Sequence, residues 1–79
     1  MDYNKWKKDA INRVIENCNV GDVFEIKDVF DKRTWDKLTR EEKQSFGRFI
    51  SNEVNENRVP ELCYFGKNKA NHNLYKRVK

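Results

Sequence analysis

Leu62-Cys63-Tyr64-Phe65-Gly66, a polar run from Lys67 to His72, and then Asn73-Leu74-Tyr75-Lys76-Arg77-Val78 decide how this chain folds. Two runs rich in aromatic and aliphatic residues flank a polar stretch, which reads as a β-hairpin. Leu74, Lys76 and Val78 alternate with Tyr75 and Arg77, so one face can pack while the other presents cations. Arg58 and Pro60 stand just before the hairpin and separate it from a helical pattern. That pattern is opened by a capping box, Thr39 with Glu42, and predicts a helix from near Arg40 to about Asn55. Phe46, Phe49, Ile50 and Val54 form its apolar face, and Glu53 intrudes there, so a partner or a place at the rim is expected for it. Gly47 costs roughly 1 kcal/mol against Ala inside a helix, which suggests a backbone packed close to it.

Further upstream, Asp2 can cap a helix from about Tyr3 to Asn17. Tyr3, Ala10, Ile11, Val14, Ile15 and Cys18 recur along one face of it. Trp6 falls about 130° from that stripe, since each residue turns 100°. It is therefore exposed or covered by another element. Asn19 to Asp22, with Gly21 inside, turns the chain into a short strand, Val23 to Ile26. Asp28 reads as the N-cap of a short second helix holding Val29 and Phe30, with Trp35 and Leu38 adding buried surface. Phe24, Phe30, Trp35, Phe46 and Phe49 are the expected aromatic core, while Tyr64, Tyr75 and Trp6 are expected to keep a face free.

A chain of 79 residues holds one small domain. Charged residues at 38% against 37% hydrophobic would suggest disorder, but ten aromatics can carry a core. No apolar run approaches the roughly 18 residues of a membrane span, and Met1 to Lys8 lacks a signal-peptide core, so a cytoplasmic protein is expected. Cys18 and Cys63 with a lone His72 form no metal-ligand spacing and no disulfide framework. No nucleophile-base set or phosphate-cradling glycine loop is legible, so neither catalysis nor a cofactor is expected. Charge is unevenly placed. Residues 1–56 carry eleven Lys/Arg against twelve Asp/Glu, a net of −1; residues 57–79 carry six basic residues against Glu61 alone, a net of +5. Such a patch attracts phosphate, although a basic terminal run can also be a solvated tail.

The order helix-strand-helix-helix-strand-strand resembles winged helix-turn-helix domains, in which the strand after the first helix pairs with the C-terminal hairpin and the hairpin tip forms the wing. An α+β winged helix over residues 1–79 is the expected fold. The sequence also resembles a family of short bacterial proteins carried on mobile elements. That likeness rests on Phe24-Glu25-Ile26-Lys27-Asp28-Val29-Phe30, Trp35, Leu38 and Phe46-Gly47-Arg48-Phe49. It implies single-stranded DNA binding in a replication module.

Opposite its apolar face, the long helix carries Gln44, Arg48, Ser51, Asn52 and Asn55, with Arg40 at one edge and Lys43 beside the core stripe. Arg, Asn and Gln pair with base edges and Ser reaches phosphates, though any exposed helix face is polar. Lys67, Lys69 and His72 lie at the hairpin tip, and Lys76 and Arg77 follow on its second strand, so helix and wing can grip one DNA together. Tyr64 and Tyr75 interleave with these cations. They either stack bases, which would favour a single strand over duplex, or pack against the first helix. A duplex-binding regulator is the neighbouring alternative. Another is a protein-interaction module, an accessory subunit or an inhibitor of a host nucleoprotein, with Trp6 as its interface anchor or homodimer contact.

Overall fold

A computed structural model describes residues 1–79. Helix α1, Tyr3–Asn17, starts where expected because the Asp2 carboxylate accepts from the Lys5 N–H at 3.1 Å. Ala10 and Val14 are buried, but Ile15 at the end of the stripe stands 46% exposed. Helix α4, Arg40–Asn55, also has the expected bounds. Thr39 Oγ1 accepts from the Glu42 N–H at 3.1 Å while Glu42 Oε1 accepts from the Thr39 N–H at 2.9 Å.

Between these helices the chain departs from the sequence reading. Strand β1 is only Val23–Phe24, and helix α2, Ile26–Val29, begins at once. Glu25 is its N-cap and Asp28 the reciprocal third residue of the capping box, so Asp28 is not the cap itself. A further turn of helix, α3 at Lys32–Trp35, was not expected. Asp31 caps it, accepting from the Thr34 N–H at 3.1 Å and from the Thr34 hydroxyl at 2.6 Å. The order is thus helix, strand, three helices and two strands. Strands β2, Leu62–Lys67, and β3, Asn73–Arg77, form the hairpin. The sheet is antiparallel in the order β1-β3-β2, with Phe24 opposite Tyr75 and Tyr75 opposite Tyr64.

The inward face of β3 is the one carrying Tyr75, which is 1% exposed, and not the one carrying Leu74, Lys76 and Val78. Phe46 is fully buried at the centre of the aromatic cluster, with the rings of Trp6, Phe30, Trp35 and Phe49 at centroid distances of 6.2–6.4 Å. Trp6 also lies 5.3 Å from Phe30. It therefore lies on a second packing face of α1, half-buried against Phe30 and Phe46 and not stranded in solvent as an interface anchor would be. Trp35 and Phe49, expected in the core, are half-buried at its margin. Glu53 does find partners: Lys7 Nζ at 2.9 Å and Arg58 Nη1 at 2.7 Å. Those hydrogen bonds, Arg58's foremost, hold its carboxyl below the usual range.

No backbone approaches Gly47; a Cβ built there meets nothing within 4 Å. Gly47→Ala is therefore expected to stabilise the protein by roughly 1 kcal/mol through helix propensity alone, read as a higher urea midpoint at unchanged slope. Acid should act in the opposite sense. Hydrogen bonds from the Thr34 side chain and backbone hold the Asp31 carboxyl at about 2, below its ordinary 3.8. A lowered folded-state value means stability that is present above the unfolded value and lost as pH falls through the folded one. Urea midpoints should fall between about pH 4 and about pH 2, and Asp31→Asn, which keeps a capping side chain, should flatten that part of the profile. Glu42 and Glu53 are shifted in the same direction, so the slope should shrink without vanishing.

Candidate nucleic-acid interface

The exposed side of α4, the start of α2 and the hairpin tip enclose an open groove of about 790 Å³. Its α4 wall is Lys43, Gln44, Gly47, Arg48, Ser51 and Asn52. The 3.6-residue repeat puts Gln44, Arg48, Ser51 and Asn52 on the side of the helix away from Phe46, Ile50 and Val54, while Lys43 and Gly47 stand at the edge of the apolar stripe. Asn71, His72 and Asn73 form the hairpin wall, Glu25, Ile26 and Lys27 the α2 wall, and Trp35 and Tyr75 also line it.

Local chemistry ties the tip in place. Asn68 Oδ1 accepts from the N–H groups of Ala70 and His72 at 2.9 and 3.0 Å, and closes the turn. Asn68 Nδ2 donates to Glu25 Oε1, and His72 Nδ1 lies 3.3 Å from the same oxygen. Glu25 thus stands at the N-cap position of α2 and anchors the wing at once. It is the one carboxylate on the groove wall, and Lys27 Nζ stands 3.4 Å from its other oxygen. Among the cations on the groove, Lys43 is 3.6 Å from Asp36 and lies 5.9 Å over the Trp35 ring, whereas Arg48 is exposed and forms no ion pair. The groove is therefore electropositive where Arg48 stands.

A smaller depression continues from it, sharing Ser51 and Asn73 and adding Asn55, Tyr64 and Lys67. Of the residues expected from sequence, Lys43, Gln44, Arg48, Ser51, Asn52, His72 and Tyr75 meet in the groove, and Asn55 and Lys67 in the depression. Arg40 and Lys69 are exposed but border neither, and Lys76 lies on the outward face of the sheet.

Two expectations are corrected. Tyr75 cannot stack a base, because it is buried between Phe24 and Tyr64. Burial pushes its hydroxyl's pKa up, and although Ser51 and Asn73 flank that oxygen, neither meets hydrogen-bond geometry with it. Arg77 shares the inward side of β3 and is spent on α1. Its Nη1 donates to the Cys18 carbonyl and, at 3.4 Å, to that of Ile15, satisfying the end of the helix. Glu25, Lys27, Trp35, Asn71 and Asn73 were missed. The Glu25-x-x-Asp28 spacing was the one signal that marked the start of α2.

No group of three His, Cys, Asp or Glu side chains gathers to hold a metal ion, and no helix is long and apolar enough to cross a membrane. Residues 9–77 match the model of a family described as a domain of unknown function (DUF1413). No curated protein and no solved structure matches the chain.

Proposed function

The chain belongs to that family of unknown function, and we propose that it is a cytoplasmic, non-enzymatic winged-helix protein that binds DNA, in single-stranded form, along the groove between α4 and the hairpin. The observation that carries this reading is the pairing state of the groove's charges: Arg48 is free while the single carboxylate, Glu25, is matched by Lys27 and bonded by Asn68. Polyanions gain most where cations are unpaired, since each neutralised phosphate releases counterion. Gln44, Ser51 and Asn52 add donors and acceptors along the same wall. The winged-helix assignment is supported by β1 pairing with β3 while β2 forms the far edge. Concavity favours a flexible strand over a duplex, which is read most readily by an element that protrudes into a groove. Replication of a mobile element is the setting proposed for the protein, on the resemblance carried by Phe24–Phe30, Trp35, Leu38 and Phe46–Phe49.

Amide chemical shifts on adding a single-stranded oligonucleotide test the reading. Changes concentrated between Lys43 and Asn55 and between Lys67 and Asn73 are expected; changes confined to α1 would overturn it.

A further inference from the structure

We infer that the depression bordered by Tyr64 and Lys67 is a nucleobase-stacking subsite for a single strand whose phosphates cross the adjoining groove at Arg48. This deepens the nucleic-acid reading and rests on it.

The hairpin is irregular at the place that matters. Tyr64 pairs with Tyr75, but Gly66 pairs with Leu74 and Lys67 with Asn73, so Phe65 is an extra residue in β2. In a regular strand, residues three apart point to opposite faces. The bulge cancels that alternation and brings Lys67 to the same side as Tyr64, where both border the depression with Asn73. Gly66, at φ +126, supplies the backbone conformation that the bulge requires. An aromatic ring and a cation that forms no ion pair are thereby aligned on one side of the wing.

Tyr64 is also held in place. Its ring meets that of Tyr75 edge-on, with centroids 6.1 Å apart and planes at 71°, and Tyr75 is fixed in the core at 1% exposure. Tyr64 itself remains 45% exposed. A pre-oriented, half-open ring loses little freedom when a base settles on it. Ser51, Asn55 and Asn73 complete the lining with neutral groups that can bond a base edge, and no carboxylate is among the five. Bases within a duplex are already stacked on one another, so a ring used in this way selects an unpaired strand.

Fluorescence-anisotropy titrations of labelled oligothymidylate of about 16 nucleotides test the subsite. Tyr64→Ala should lose roughly tenfold in affinity for this strand and Tyr64→Phe should keep it, because stacking needs the ring and not the hydroxyl. An abasic strand of equal length should bind wild type roughly tenfold more weakly than the normal strand does. This comparison needs no variant and holds even if Tyr64→Ala folds poorly. A parallel oligouridylate titration shows which sugar is preferred; tighter binding of either base-bearing strand than of its abasic counterpart supports stacking. Equal affinity for normal and abasic strands overturns the subsite, as does unchanged binding by folded Tyr64→Ala. If Arg48→Ala still weakens binding in that case, the groove reading survives without the subsite. Failure of wild type to bind any strand removes both.

Discussion

Phe46→Ala is expected to lower the free energy of unfolding by roughly 3–5 kcal/mol, the cost of deleting a fully buried aromatic ring and leaving its cavity. The site has little room to collapse, because four aromatic neighbours on three different helices and the loop before α3 converge on it: Trp6, Phe30, Trp35 and Phe49. Small domains lie toward the low end of the about 5–15 kcal/mol typical of folded proteins, so this single change should leave a substantial unfolded fraction at 37 °C. Urea denaturation followed by tryptophan fluorescence reads it directly, since both tryptophans belong to the cluster. Phe49→Ala, at the half-buried margin, should cost clearly less. Equal losses at the two positions would mean that the ring cluster is not centred on Phe46.

Charge reversal at Arg48 should have the largest effect on binding. Arg48→Glu is expected to weaken single-strand affinity at low salt by more than tenfold and to reduce the dependence of log K on log salt by about one unit. The fold should be untouched, because Arg48 is exposed and forms no ion pair. Lys8→Glu, an equally exposed and unpaired cation on α1, changes net charge by the same amount away from the groove. It should lower affinity far less. Similar losses in the two variants would assign the effect to net charge rather than to the groove.

The two long helices were legible because each begins with a side-chain cap and then keeps one apolar period: Asp2 before α1, and Thr39 with Glu42 before α4. Such signals are local, and distant contacts did not alter them. The segment between is denser in acidic residues than in elements, and Asp28 and Asp31 each accept from a backbone N–H. A sequence rule that favours Asp over Glu as the cap picked Asp28, whereas the box runs from Glu25. Trp6 could be read only as exposed or covered, because a helical wheel finds the dominant stripe and says nothing of a second packing face. In β3 the period of two separated the faces correctly but could not say which one is inward. That choice came from β1, where Phe24 sits opposite Tyr75 and draws it into the core, carrying Arg77 to the end of α1.

The same division holds for the site. Residues on α4 could be read from the helix alone, so Gln44, Arg48, Ser51 and Asn52 were found. The opposing walls depend on how the hairpin tip docks on Glu25 and on one extra residue in β2, which are tertiary facts. A bulge leaves only a faint mark in sequence, here a glycine after an aromatic pair. It nonetheless decides that Lys67 lies on the side of Tyr64, and the place of β2 at the sheet edge, with β3 at its centre, makes Tyr64 and not Tyr75 the ring offered to solvent.

Binding of single-stranded DNA by the α4-hairpin groove through unpaired cations is the proposal on which the rest depends. Fluorescence anisotropy of a labelled single strand, titrated with wild-type protein at several salt concentrations beside the matching duplex, tests it most directly. Micromolar or tighter single-strand binding is expected, with weaker duplex binding and a fall in affinity with salt steeper than a log-log slope of about −2. No binding of either form at low salt, or an affinity indifferent to salt, would contradict it.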